Sequence, residues 1–364
     1  MTDDLLGQHD VLLADLDGTL YAGPVAIPGA VEAVRGAAER GVRTAYITNN
    51  ASRSPADVAA HLAELGFPAG TEDVVASSQA AAAMLAEQLP AGAAVLVVGT
   101  AALGAEVTAV GLTLTDRADE AAAVVQGHSP DTGWRLLAEA TVALRAGAVW
   151  VASNLDPTLP TERGPLPGNG SMVAALRTAT GREPQVAGKP APTLLTDAVR
   201  RTAARSALMI GDRMDTDVEG GRAAGLATLL VLTGVSDAAE LLAAPQRRRP
   251  DYVASDLAAL TRPAADLAPG PRPDWQARAE GPATPGPTQA TPRPLVLAGS
   301  GDPLDALRTL CAVHWAAGGG TFRIAAEGPD AAAALHELGL DGAGERSATV
   351  AAATAADTAT GAHR

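Results

Sequence analysis

The chain has 364 residues, 47% of them hydrophobic but only 2% aromatic, a formal net charge of −14 at pH 7 and one cysteine, Cys311. That length calls for two or three units with aliphatic cores, and the acidic balance disfavours nucleic acid and anionic membrane as partners. One cysteine excludes an intramolecular disulfide framework and suits a reducing compartment, and no apolar run reaches the ~18 residues of a membrane span, so the expected location is cytoplasmic.

The acidic opening Met1-Thr2-Asp3-Asp4 does not read as a signal peptide. The apolar residues 11–14 read as a buried parallel strand, followed by Asp15-Leu16-Asp17-Gly18-Thr19-Leu20. Ligands of open α/β sheets bind at that carboxyl edge. Positions i and i+2 of a continuing strand share a face, so Asp15 and Asp17 can reach one substrate, and Gly18 lets backbone approach a ligand. The bland alternative is a strand-to-turn junction, since Asp-Gly is common turn chemistry. A helix is predicted over 29–40, and a second strand, 42–47, ends in Thr48-Asn49-Asn50.

Only 27 residues separate Leu20 from Thr48, which leaves no room for an extra domain there. Between Thr48 and Lys189 there are 140, far more than one crossover needs, so a second α/β unit is inserted. Its strands are expected near 93–98, 122–126 and 148–152, and its helices near 101–110, 133–145 and 170–180. Asn154, Asp156, Arg163 and Asn169 are the polar candidates in the segment that should face the first unit, and each is equally good turn chemistry. His128 is either a substrate contact or a surface residue. Lys189 stands in Gly188-Lys189-Pro190, and a third strand, 207–210, opens into Gly211-Asp212-Arg213-Met214-Asp215-Thr216-Asp217. Asp215 there is a solvated charge, the N-cap of a helix over 216–224, or a metal ligand.

Residues 263–293 alternate Pro with Gly, Ala, Thr and charge, and read as an extended linker. A strand at 295–297, a helix at 303–316, a strand at 322–325, a helix at 330–338 and a last strand from Ser347 are expected beyond it. About 50 ordered residues make a small core, so this piece should dock on the rest or on a partner. Every polar cluster lies before it, so a chain ending near Thr261 is expected to fold and keep its chemistry.

The four clusters, in this order, resemble the haloacid dehalogenase-like hydrolase superfamily over about residues 10–262. Pro167-Gly168-Asn169-Gly170 and the Gly211 to Asp217 phrase are similar to the NagD-like branch, phosphatases with a large cap between the second and third motifs. The phrases around Trp134, 154–164 and 187–200 are similar to those of actinobacterial glycerol 3-phosphate phosphatases. This resemblance implies an α/β fold: a Rossmann-like doubly wound parallel-sheet core (1–82 and 185–262), an inserted α/β cap (83–184), the linker (263–293) and a small C-terminal α/β accessory unit (294–364). That last unit resembles part of an acetyltransferase fold, but Gly318-Gly319-Gly320 lacks the spaced pattern of a CoA-binding loop.

The resemblance also implies roles. Asp15 is the nucleophile of an aspartyl-phosphate mechanism, and Asp17 the acid that protonates the leaving alkoxide and then the base that activates water. Thr48 and the backbone N–H groups after Asp15 hold phosphate oxygens, Lys189 neutralises the charge that the transition state spreads, and Asn49, Asn50 and, from the cap, Asn154 and Arg163 are further substrate-binding candidates. Mg²⁺ binds Asp15, the Asp17 carbonyl and Asp212, with Asp217 in support. The chemistry needs these types. Phosphate monoesters are inert, and a covalent intermediate splits the barrier. An acid poised at pH 7 needs a raised pKa, and a hard cation must offset carboxylate–phosphate repulsion. The expected partner is a small phosphorylated metabolite, glycerol 3-phosphate ahead of 2-phosphoglycolate, pyridoxal phosphate, a nucleoside monophosphate or a sugar phosphate, with self-association left open. The competing class is a binding module acting through the C-terminal unit.

Overall fold

Six parallel strands form the central sheet, in the spatial order Tyr252–Ala254, Ala227–Val231, Ala207–Gly211, Val11–Asp15, Arg43–Thr48, Val74–Ala76. The structure, a computed structural model, describes residues 4–159, 163–280 and 292–341. Strands covered on both faces are unbroken aliphatic runs. Leu12, Ala14, Leu208 and Ile210 pack on one face with Val34 and Leu62 of flanking helices, while Val11, Leu13 and Met209 pack on the other with Ala81, Leu194 and Leu195. From Val11–Asp15 the chain builds toward one edge, and after the insertion it builds toward the other. The order therefore reverses between Val11–Asp15 and Ala207–Gly211, and open sheets bind ligands in the crevice at such a reversal. Asp15 pairs with Ile47 and Ala14 with Ile210, which brings the tips carrying Asp15, Thr48 and Asp212 level.

The insertion is a second parallel sheet, in the order Gln185–Val186, Val149–Ala152, Ala123–Gln126, Ala94–Val98, Thr113–Thr115. Helices Trp134–Arg145 and Asn169–Thr180 bury Leu144, Val173 and Leu176 on one face, against Leu96, Val124 and Trp150. The other face joins the core: Val95, Val125 and Val151 share a cluster with Ala45 and Ile47 through helix Ser77–Gln88. That helix runs unbroken past residue 82, so cap and core share an element. Thr113–Thr115 and the hairpin Thr158–Leu159 with Leu166–Pro167 are additions to the expected elements. Both are too short and too open to water to show an apolar period.

The C-terminal unit pairs Trp275–Ala279 antiparallel with Arg293–Gly299, and Arg293–Gly299 parallel with Phe322–Glu327. The first strand, together with a helical turn Ala264–Leu267, lies inside the stretch expected to be an extended linker. Proline fixes φ but does not prevent apolar anchoring. Leu267 is buried in the core cluster, Trp275 is buried in the C-terminal one, and the Arg272 guanidinium donates to the Asp266 and Ala268 carbonyls (both 2.8 Å). Residues 281–291 and the strand expected from Ser347 lie outside the described residues.

This unit is not a separate bead. Trp275, Leu295, Leu297, Leu307 and Leu310 form one cluster with Met214, Val218, Leu230, Leu241, Leu242 and Val253 of the core. Helix Pro303–Ala316 covers the sheet's edge strand, where fully buried Arg308 donates to the Val253 carbonyl at 3.1 and 2.6 Å, and Trp315 Nε1 donates to the Leu242 carbonyl at 3.1 Å. No helix among the described residues is long and apolar enough to cross a membrane.

Candidate active site

The carboxylates of Asp15, Asp212 and Asp217 converge at the reversal crevice, with one oxygen of each within 4.8 Å of the others. Gly18 makes this approach feasible: it sits at φ +83°, and a Cβ there would lie 2.5 Å from Asp212 Oδ2. Asp212 is held by the Val235 N–H, which donates to Oδ2 at 2.7 Å. Asp217 is buried on the single π-type turn Met214–Val218, whose wide pitch returns its Oδ2 to the Arg213 N–H at 3.1 Å. This turn and the short helix Glu219–Ala223 replace the helix expected over 216–224.

Lys189 reaches the cluster from the far end of the insertion. Its Nζ donates to Asp15 Oδ1 at 2.5 Å and to Asp217 Oδ1 at 2.6 Å, and its side chain is 2% exposed. Burial pushes Asp15 up to about 6 against the pull of Lys189. It pushes Asp217 up to about 7 against the same pull, and Asp212 up to about 6, with the Asp217 charge adding to the rise. Three acids and one ammonium leave excess negative charge among hard oxygen donors. That donor set suits Mg²⁺, which favours a few carboxylates plus water and phosphate oxygen.

Asp17 is open to the cavity. Partial desolvation under the cap raises its pKa, while Arg53, His61 and the Tyr21 hydroxyl pull it down. The cavity, about 660 Å³, is floored by Asp15, Asp17, Thr48 and Lys189 and roofed from the cap by His128, Asp156, Thr158 and Leu159.

Several amides serve the framework. Asn49 brackets the Lys189 peptide, accepting from its N–H at 2.8 Å and donating to its carbonyl at 3.0 Å. Asn50 Oδ1 accepts from the Ser52 N–H (2.9 Å) and hydroxyl (2.6 Å). Buried Asn154 donates to the Asn49 carbonyl (2.7 Å), and buried Asn169 donates to the Asn154 carbonyl (2.7 Å), so the cap's polar phrase stitches cap to core. All four still border the cavity. Arg163 is exposed and is not among the residues that line it.

Asp215 stands outside the carboxylate cluster. Its two oxygens accept from Arg213 Nε (3.1 Å) and Nη2 (3.0 Å), so it anchors Arg213. The Arg213 charge in turn acts on Asp156 of the cap. Tyr21, Arg53, His61 and Arg213 line the cavity without having been singled out in the sequence. Tyr21 and Arg53 are close in the chain to Asp17 and Asn50, which was the available signal.

Residues 12–113 match the haloacid dehalogenase-like hydrolase family, and 186–260 match a HAD-hydrolase-like family. The chain is 58% identical over 270 residues to D-glycerol 3-phosphate phosphatase of Mycobacterium tuberculosis, covering 74% of this chain and 76% of that protein.

The chain belongs to the haloacid dehalogenase-like hydrolases.

It is a phosphatase of that family, and the doubly wound core with an inserted cap is the family's fold. A crystal structure of glycerol phosphate phosphatase from M. tuberculosis in complex with magnesium superposes with a TM-score of 0.86 at 50% identity, covering 93% of this chain and 100% of that one. The p-nitrophenyl phosphatase from Archaeoglobus fulgidus superposes with a TM-score of 0.65 at 32% identity, covering 70% of this chain and 98% of that one. Within this haloacid dehalogenase-like hydrolase, residues 272–340 match a GCN5-related N-acetyltransferase like domain. That match starts just before strand Trp275–Ala279, inside the Pro-rich stretch.

Proposed function

We propose that this phosphatase hydrolyses glycerol 3-phosphate to glycerol and phosphate, as a cytoplasmic enzyme acting through an aspartyl-phosphate on Asp15. The observation that carries the chemistry is the set of Asp15, Asp212, Asp217 and Lys189 at one strand edge, with Asp17 facing the same cavity. An oxygen of Asp15 attacks phosphorus as the P–O ester bond breaks, and Asp17 gives its proton to the departing alkoxide. Asp17 then takes a proton from water as that water attacks phosphorus and releases Asp15 and phosphate. Lys189 orients Asp15 and, with Thr48, faces the oxygens over which the transition state spreads charge.

Asp15, the Asp17 carbonyl oxygen and Asp212 would hold Mg²⁺, with Asp217 and its Lys189 and Arg213 contacts in support. When bound, the ion neutralises the charge between carboxylate and phosphate and polarises the phosphoryl oxygens. Chelation with EDTA is expected to lower kcat by about 100-fold or more, as loss of several kcal/mol of charge stabilisation requires. Added Mg²⁺ should restore wild type but not Asp212→Ala. Full activity of protein shown metal-free by elemental analysis would exclude this role.

In this reading the central sheet and its tips carry the chemistry, the inserted sheet covers it, and the C-terminal unit is accessory. Gln185–Val186 is the edge strand of the inserted sheet and not part of the core, as residues 185–262 were expected to be. The substrate assignment draws on the 58%-identical mycobacterial relative, named for D-glycerol 3-phosphate. The roof agrees with a small polyol: His128, Asp156 and Thr158 offer hydrogen bonds to hydroxyls, and Asp156 disfavours a second anion. The test is phosphate release with Mg²⁺ from glycerol 3-phosphate, 2-phosphoglycolate, pyridoxal phosphate and nucleoside monophosphates. Glycerol 3-phosphate should give the highest kcat/KM. A preference of about tenfold or more, ~1.4 kcal/mol in transition-state binding, for another ester would replace it.

A further inference from the structure

We propose that the loop 233–236 is a positioning element of the cation site: it holds Asp212 and the turn carrying the Asp17 carbonyl at one fixed spacing, and so sets the preference for Mg²⁺ over the larger Ca²⁺. The proposal rests on the reading of those two groups as Mg²⁺ ligands. The loop leaves strand Ala227–Val231, which pairs in parallel with Ala207–Gly211, so it emerges beside Asp212. Its Val235 N–H donates to Asp212 Oδ2 at 2.7 Å, and its Ser236 N–H donates to the Asp212 carbonyl at 3.0 Å. Ser236 Oγ accepts from the Met214 N–H at 3.0 Å, and the Thr233 hydroxyl donates to the Gly18 carbonyl at 2.5 Å. The Gly18 N–H, on the peptide whose carbonyl is that of Asp17, donates to the Tyr21 carbonyl at 2.8 Å. Thr233 thus ties the turn that carries one ligand to the loop that grips the other.

Two glycines crowd the gripped carboxylate. A Cβ at Gly234 would lie 2.0 Å from Asp212 Oδ2, and one at Gly18 would lie 2.5 Å from the same oxygen. Gly234 is outside the left-handed region, so what it supplies is space for that oxygen. Asp212 is itself fully buried. A carboxylate in such a slot cannot swing outward to widen the shell of oxygens. Mg²⁺ requires near-octahedral donors at about 2.0–2.1 Å, whereas Ca²⁺ takes more oxygens at about 2.3–2.6 Å in a flexible arrangement. Loosening the slot therefore costs Mg²⁺ more than Ca²⁺.

The test titrates the metal-free, full-length protein with MgCl₂ and, separately, with CaCl₂ by calorimetry. Thr233→Val keeps the bulk of the side chain but not its hydroxyl. It is expected to weaken Mg²⁺ binding about tenfold and Ca²⁺ binding by no more than about threefold, on the scale of losing a group that orients a metal ligand. Thr233→Ser keeps the hydroxyl and should stay within about twofold of wild type on both cations. Gly234→Ala puts a methyl group against Asp212 Oδ2 and should weaken Mg²⁺ binding about 100-fold. Unchanged Mg²⁺ affinity in Thr233→Val, equal losses on both cations, or no rescue by Thr233→Ser overturns the proposal. Asp212→Ala separates this proposal from the reading beneath it. If that variant binds Mg²⁺ as wild type does, the ligand assignment falls and this proposal with it. If it loses Mg²⁺ and Thr233→Val does not, only this proposal falls.

Discussion

Asp15→Asn is expected to lower kcat by about 10⁴-fold or more, because the covalent route is closed and uncatalysed monoester hydrolysis is among the slowest of biological reactions. An amide oxygen is a poor nucleophile and brings no charge to a cation. The fold should survive. Asn matches Asp in shape, and Lys189 keeps its 2.6 Å partner Asp217. The metal-free variant should melt no lower than wild type, since the substitution removes one of three crowded acids whose pKa values burial has pushed upward. Phosphate release and a thermal melt measure the two halves separately. Retention of more than about a tenth of kcat would sink the nucleophile assignment, because that is only ~1.4 kcal/mol of barrier.

Truncation after Thr261 is expected to abolish stable folding, contrary to what the Pro-rich stretch suggests in the sequence. The cut removes Leu267 from the core cluster. It also removes Trp275, Leu295, Leu297, Leu307 and Leu310, which cover Met214, Val218, Leu230, Leu241, Leu242 and Val253. Uncovering a large aliphatic side chain costs about 1.5–3 kcal/mol, so partial exposure of six is of the same size as the 5–15 kcal/mol that holds an ordinary domain together. The edge-strand carbonyl of Val253 would lose Arg308 as well. Catalysis is coupled to the same surface, since Met214 and Val218 belong to the turn that carries Asp217. Soluble expression, near-ultraviolet circular dichroism and phosphate release on the 1–261 chain check this. A cooperatively melting protein with wild-type kcat would show the C-terminal packing to be dispensable.

Much of the core and its chemistry was legible along the chain because the signals are local. Residues 11–14 and 207–210 are uninterrupted aliphatic runs, which only strands covered on both faces require, and each runs into acids at the edge where open sheets bind ligands. The 140 residues between Thr48 and Lys189 demanded an inserted unit, whatever its sequence. The sequence could not choose partners among side chains that meet only after folding. Asn154 and Asn169 were turn chemistry or substrate contacts until the cap closed on Asn49, 105 residues from Asn154, and turned their amides to backbone carbonyls. Asp215 was one acid among three until the π-type turn sent Asp217 inward and left Asp215 to Arg213. Tyr21 and His61 are ordinary residues of a hairpin and a helix until their rings meet beside Asp17. The Pro-rich stretch looked extended because proline reports local φ, whereas the burial of Leu267 and Trp275 depends on surfaces presented by strands and helices elsewhere in the chain. Local pattern determined the elements and the acids at their tips, and tertiary packing decided which polar groups face substrate and which hold the frame, because a hydrogen bond is assigned by distance in space.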